Sequence, residues 1–129
     1  MKLLLDTQVV LWALGDPQRL RAEARAAIEG PENDLAVSAA SAWEVAIKRA
    51  LGKLELPGGI RDWLLPAVEG LGAVWFPISA EDAAAIEALT HHHRDPFDRL
   101  LIAQAVTRGC TLVSADAALT AYPVSLLRA

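Results

Sequence analysis

The amino-acid sequence predicts an α/β fold in which a parallel sheet is covered by helices on both faces. Two observations point there. Short apolar runs of strand length, such as Leu3-Leu4-Leu5 and Leu112-Val113, alternate with longer segments of helical periodicity. The helical segments also start and stop on residues suited to those places, as strand–helix alternation in a layered fold requires.

Leu3 to Leu5 reads as a buried strand, followed by a helix from Thr7 to Leu14 that ends at Gly15-Asp16-Pro17. A second helix is expected from Arg19 to Glu29, stopping at Gly30-Pro31, and a second strand from Leu35 to Ser38. In the next helix Trp43, Ala46, Ile47, Ala50 and Leu51 keep the i, i+3, i+4, i+7, i+8 spacing of one buried face. Gly52 ends it, and residues 54–59 form a turn region. Ile60 to Leu71 reads as helical with Pro66 as a kink or break. A third strand covers Ala73 to Ile78. Ser79 then caps a helix with Asp82 at its third position, a variant of the capping box. Asp95-Pro96 opens the last long helix, Asp at the cap and Pro at the first helical position, and Gly109 closes it. A fourth strand at Thr111 to Ser114, a short helix at Asp116 to Ala121 and an edge strand at Val124 to Leu127 complete the chain.

At 129 residues, 53% hydrophobic and 22% charged, the chain is long and apolar enough for one ordinary domain with a sizeable core. Its formal charge of −4 does not advertise a non-specific nucleic-acid binder, which is usually basic, but suits an enzyme whose acidic residues gather in a metal site. The lone Cys110 rules out an intrachain disulfide and fits a reducing cytoplasm as a small core residue. The apolar start Met1 to Leu5 is interrupted by Asp6 and does not read as a signal peptide. No segment approaches the roughly 20 apolar residues of a membrane helix, so a soluble, cytoplasmic protein is expected.

In an open parallel sheet, ligands bind beyond the carboxyl ends of the strands, where the crossover helices also begin. Asp6 directly follows the first strand, and Asp116 sits two residues past the fourth. Asp98 lies in the first turn of the last long helix, and Glu44 about one turn into the helix after the second strand. Four carboxylates from distant parts of the chain can therefore converge. Like charges raise each other's pKa, and a divalent cation relieves that. All-oxygen ligands favour Mg²⁺ or Mn²⁺, with a bound water available as nucleophile. Taken singly, each residue has a plainer reading. Asp6, Asp98 and Asp116 each precede or open a helix, where Asp is often a cap or a dipole partner, and Glu44 can pair with Lys48 one turn on. Spacing alone leaves a metal site and a set of well-capped helices both open.

The strings LLLDTQVVLW, VSAASAWEVAIKRALGKLELP, HHHRDPFDRLLIAQA and TLVSAD resemble the PIN domain, specifically VapC-like toxins, in the right order across nearly the whole chain. The resemblance implies a three-layer α/β/α sandwich with a central, mostly parallel sheet of four or five strands, as one domain over residues 1–129. It further implies a Mg²⁺- or Mn²⁺-dependent endoribonuclease, inhibited by a cognate antitoxin, with Asp6, Glu44, Asp98 and Asp116 as acidic catalytic and metal-ligating residues. The family's fourth acidic residue stands in a Thr-x-Asp string; here it reads Ser114-Ala115-Asp116, a serine doing the threonine's hydroxyl job.

Lys48 and Arg99, beside Glu44 and Asp98, are the best candidates for RNA phosphate contacts, ahead of Arg94, Arg49 and Lys53. His91-His92-His93 reads as a solvated helix end rather than a metal site, and the four tryptophans as core or interface. Thr7, Ser38 and Ser41 either cap helices or orient metal-bound water. The apolar side chains of residues 9–14 and 60–71 exceed what one small core needs, which suggests a homodimer surface and an antitoxin groove among them. Two other functions compete. A haloacid-dehalogenase-like phosphohydrolase needs two aspartates two residues apart, and Gln8 occupies the second place. A non-catalytic PIN-like binding module would not require all four carboxylates. Gly-rich phosphate loops are missing, which excludes P-loop and dinucleotide enzymes.

Overall fold

A computed structural model describes residues 1–90 and 95–129. The expectations for the three histidines and Arg94 lie outside these residues. In chain order the elements are β1 (Lys2–Leu5), α1 (Thr7–Gly15), α2 (Ala22–Glu29), β2 (Asp34–Ser38), α3 (Ala39–Ala50), α4 (Leu65–Gly70), β3 (Ala73–Phe76), α5 (Ala80–Ala85), α6 (Pro96–Arg108), β4 (Thr111–Ser114) and β5 (Leu126–Arg128). The five strands form one parallel sheet in the order β3-β2-β1-β4-β5. β1 is central, with Leu4 opposite Ala36 on one side and Leu112 on the other.

Successive side chains of a strand point to opposite faces, and β1 uses both. Leu3 and Leu5 enter a core with Val9, Val10, Ile28, Val45 and Val68, under α1 to α4. Leu4 enters a second core with Leu101, Ile102 and Ala105 of α6 and Leu119 and Tyr122. The sheet is the middle of three layers, as expected. No described helix is long and apolar enough to cross a membrane.

Several elements differ from the sequence reading for local reasons. Leu20 is buried in the first core with an extended backbone. The chain therefore makes a separate 3₁₀ turn at Pro17–Arg19, and α2 starts only at Ala22. A π-helical turn, Ile60–Leu64, precedes α4. Pro66 sits in the first turn of α4, directly after the change from the π-helical turn to α-helix. The region after β4 is a 3₁₀ helix, Ala117–Ala121.

The largest difference is in α3. Its buried residues are Ala40, Ser41, Glu44 and Val45, while Trp43 and Leu51 are 57% and 63% exposed and Ile47 is exposed as well. The helix is turned so that its small and acidic residues face inward and the apolar stripe faces out. Conversely, the residues expected to exceed the core's needs mostly serve it: Val9, Val10, Leu64 and Val68 are buried, and Leu11, Trp12, Trp63 and Leu71 pack against them.

Behind α6 lies a buried polar cluster. The Ser79 hydroxyl accepts from the Asp82 backbone while Asp82 accepts from the Ser79 backbone, a complete capping box. The same Asp82 oxygen accepts from Gln104 Nε2 at 3.1 Å and Arg108 at 2.8 Å. Burial pushes its carboxyl upward, but Arg108, the Ser79 backbone, Gln104 and the Ser79 hydroxyl together hold it well below the usual carboxylate range. A carboxylate whose folded pKa is depressed contributes stability above its unfolded pKa, roughly pH 4, and loses it as pH falls through the folded value. Asp82→Asn should therefore cost about 3 kcal/mol at neutral pH, since it leaves Arg108 without its charge partner. It should also flatten the loss of stability below pH ~4. Urea denaturation from pH 7 to pH 2 tests both; an unchanged acid limb would show that this cluster does not carry the linkage.

Candidate active site

The carboxyl ends of β1, β2 and β4 lie side by side, and the chain turns into a helix after each. Asp6, at the end of β1, caps α1: its Oδ1 accepts from the Gln8 backbone at 3.2 Å. Its Oδ2 accepts from the Ser114 hydroxyl at 2.5 Å, and Ser114 in turn accepts from the Asp116 backbone at 3.1 Å. Neighbouring strand ends are thereby tied together through 108 residues of sequence separation. Asp6 is 8% exposed. Burial pushes its carboxyl above the ordinary value. The bonds from Ser114 and Gln8 oppose this, while the charges of Glu44 and Asp116 add to it.

Ser38 caps α3 through the Ala40 backbone. The inward face of α3 then presents Ser41 and Glu44 to Thr7 at the start of α1. The Thr7 hydroxyl lies 2.8 Å from the Ser41 hydroxyl and donates to Glu44 Oε1, also at 2.8 Å. Glu44 Oε2 accepts from Lys48 Nζ at 2.8 Å. Both oxygens of this buried carboxylate are held, one by a neutral donor and one by an ammonium.

Asp95 caps α6 through the backbone of Phe97 and Asp98, which sets Asp98 in the first turn of the helix. Asp116 caps the 3₁₀ turn through the Ala118 backbone at 2.9 Å. Asp6, Glu44, Asp98 and Asp116 all line one cavity of about 550 Å³ at the carboxyl edge of the sheet, with Asp95, Lys48 and Lys53. The four carboxylates singled out by sequence face a common space, and Asp95, legible only as a cap, joins them. Within the described residues, no three His, Cys, Asp or Glu side chains are gathered closely enough to hold a metal ion between them. The donor set nonetheless suits a hydrated hard cation: the acidic lining is all oxygen, and Mg²⁺ keeps several waters and needs few direct protein ligands.

Arg99 is a correction. It is 7% exposed and does not line the cavity. One guanidinium nitrogen donates to Thr90 O at 3.0 Å and the Tyr122 hydroxyl at 3.2 Å, and the other to the carbonyls of Ile86 and Leu89 at 3.4 Å. Adjacent positions on a helix point about 100° apart, so its neighbour Asp98 faces the cavity while Arg99 anchors the preceding turn. It is not placed to meet a phosphate.

A three-layer α/β/α fold with carboxylates facing one cavity at the carboxyl edge of its sheet is the arrangement expected of the PIN domain. The model of the PIN domain matches residues 3–124, and the chain belongs to that family. Within it the chain is closely related to the VapC-like PIN ribonucleases of toxin–antitoxin systems. Ribonuclease VapC22 of Mycobacterium tuberculosis (strain ATCC 25618 / H37Rv) is 34% identical over 119 residues, 92% of this chain and 90% of the relative. Two solved structures share the fold. VapBC2 from Rickettsia felis, bound to a DNA fragment from its promoter, superposes with a TM-score of 0.74 at 16% identity, covering 99% of this chain and 98% of that one. FitAcB from Neisseria gonorrhoeae gives 0.61 at 21% identity, covering 98% and 96%.

The Ser114–Asp6 bond yields a direct test. Ser114→Ala removes the strongest contact that lowers the Asp6 pKa, so Asp6 should titrate higher than in the parent protein. The loss should also cost about 1 kcal/mol of stability. Carboxyl-carbon NMR titration reads the first and thermal melting the second. An unmoved Asp6 titration would show that the bond does not tune the carboxylate.

Proposed function

We propose that this chain is a Mg²⁺- or Mn²⁺-dependent endoribonuclease, the toxin of a cytoplasmic toxin–antitoxin pair, folded as one domain over residues 1–129. The observation that carries this reading is the cavity at the carboxyl edge of the sheet, lined by Asp6, Glu44, Asp98 and Asp116. Family membership and the likeness to a ribonuclease support it. A divalent cation bound there supplies a water nucleophile at neutral pH and screens the phosphodiester's charge. The chain's own residues do the rest. Ser114 and the Gln8 backbone fix the two oxygens of Asp6, and Thr7 fixes one oxygen of Glu44. Asp98 and Asp116 complete the acidic lining, from which ligands for the cation are drawn. Lys48 and Lys53 line the same cavity and offer positive charge to the RNA backbone, a role that Arg99 does not share.

Asp98→Asn keeps the size of the side chain and its place in the first turn of α6. If Asp98 helps to hold the cation, cleavage of RNA in Mg²⁺ should fall by at least about a hundredfold, since each 1.36 kcal/mol of lost stabilisation is tenfold in rate. EDTA should abolish parent activity and added Mg²⁺ restore it. Asp34→Asn, on an exposed residue at the opposite edge of the sheet, is the control and should cleave normally. Equal, small losses in the two variants would reject the assignment of Asp98.

The partner reading rests on α3. Trp43, Ile47 and Leu51 form an exposed apolar stripe, and Trp43 meets Phe97 of α6 edge-on with ring centroids 5.0 Å apart. Such a stripe suits a protein–protein surface, and we assign it to a homodimer, with the cognate antitoxin as the second partner. Trp43→Glu should shift the chain to monomer in light scattering and lower its melting temperature by a few degrees, about 1 kcal/mol, since it also removes the edge-on contact with Phe97. A parent protein that is itself monomeric at high concentration would remove the homodimer.

A further inference from the structure

We infer that Lys48 is a built-in counter-ion of the acidic cavity: its ammonium pairs with Glu44 in the metal-free protein and withdraws when a divalent cation binds. The inference rests on the metal-dependent reading above and says which charge balances the carboxylates before a cation binds.

Three observations carry it. Lys48 Nζ lies 2.8 Å from Glu44 Oε2, on the oxygen left over after Thr7 has taken Oε1. Glu44 is therefore already oriented from the protein side, and the ammonium stands on the remaining face of the carboxylate. Second, the two partners differ in burial. The Glu44 side chain is 11% exposed and that of Lys48 50%. A half-exposed lysine gains little from one ion pair and can swing its charge into water on a flexible stem. The fixed half of the pair is the carboxylate; the removable half is the cation. Third, the ammonium belongs to the acidic cavity. Lys48 lines the same space as Asp6, Glu44, Asp95, Asp98 and Asp116. Lys48 thus places a positive charge on the wall of the cavity proposed to take a divalent cation.

The cost side agrees. Without a cation, several carboxylates facing one cavity repel one another. The Lys48 ammonium, paired with Glu44 on the wall of that cavity, offsets part of the repulsion. Arginine would pair more rigidly and leave less readily, whereas lysine is a compact charge on a mobile stem. The i, i+4 arrangement with glutamate first is also the favourable one on a helix, so α3 delivers the pair with no further machinery. A merely helix-stabilising pair would predict no link to metal. A lysine reserved for phosphate would predict weaker RNA binding with metal affinity unchanged.

The test is Mn²⁺ binding to the full chain, by calorimetry and by the loss of free Mn²⁺ signal in paramagnetic resonance, with no RNA present. Lys48→Met removes the charge and keeps the stem. Lys53→Met removes a charge from the same cavity lining, where no ion pair to Glu44 is at stake, and corrects for the general field. Lys48→Met should bind Mn²⁺ about fivefold more tightly than the parent, about 1 kcal/mol at 1.4 kcal/mol per tenfold, and Lys53→Met less than about twofold. In the parent, the Lys48 ε-methylene carbon should move toward its solvent value as Mg²⁺ is titrated in, which needs no variant. Equal affinities in all three proteins, or a Lys48 signal unmoved at saturating Mg²⁺, would overturn the inference and leave the metal-dependent reading standing. If none of the three binds Mn²⁺, both fall.

Discussion

A carboxylate at the end of a strand buried on both faces is costly to keep. Asp6 follows three leucines that are fully inaccessible to solvent, and it is nearly inaccessible itself. Its charge is disfavoured by that burial and by Glu44 and Asp116 nearby. Much of the surrounding architecture answers to this constraint. A helix begins at Asp6, so the Gln8 backbone amide and the helix dipole favour the ionised form. Ser114 donates from the end of the adjacent strand. The loop after β4 turns so that the Asp116 amide orients Ser114. Tight chain geometry on either side of Asp6 follows from supplying those donors.

Strand order turns this local requirement into a site. Because β1 lies between β2 and β4, the helices that follow it and β2, and the turn after β4, all open over the same edge. Contacts between residues 34 to 108 positions apart then become short-range ones: Thr7 to Ser41 and Glu44, and Ser114 to Asp6. Parallel strands force this convergence, since each one's carboxyl end must point the same way and each crossover must start there. Polar residues placed at the ends of separate strands therefore need no extra element to meet. What they need is partners that tolerate their charges, and the hydroxyls of Thr7 and Ser114 and the ammonium of Lys48 fill that role.

The layers were legible in the sequence because they depend on local rules, and the strand-end positions of Asp6 and Asp116 pointed to the sheet edge where the cavity lies. Apolar runs of strand length, Asp-Pro at a helix start and Gly at its end are read one segment at a time. The rotation of α3 was not legible in that way. Trp43, Ile47 and Leu51 have the larger apolar side chains, so periodicity alone turns them inward. The inward face is instead Ala40, Ser41, Glu44 and Val45, because α3 must pass close to α1 and bring Glu44 to Thr7. Small residues permit the approach, and the carboxylate requires it. The sign of that conflict lay in the sequence: a helix with Ala and Ser on the same side as a Glu has two candidate faces, and the more apolar one is not obliged to be the core. Arg99 was misread for the opposite reason. Sequence proximity to Asp98 suggested a shared role, whereas one step along a helix sends the two side chains to different surroundings.

An acidic residue can cap a helix and line the cavity at once. Asp6 caps α1 and lines the cavity; Asp116 caps its 3₁₀ turn and lines it too; Glu44 pairs with Lys48 as a helix-surface pair would and faces the same space. A carboxylate has two oxygens with about four lone-pair directions, so one oxygen can serve the backbone while the side chain still presents charge to solvent. Capping also removes conformational freedom that would otherwise have to be lost on binding, which is how an acidic side chain comes to be held in place before any ligand arrives. The contrast between the cations follows the same logic. Arg99 has its guanidinium committed to four protein oxygens and is fixed into the fold. Lys48 pairs with a buried carboxylate from a half-exposed stem, and it is this exposure, beside an acidic cavity, that leaves it able to exchange one partner for another.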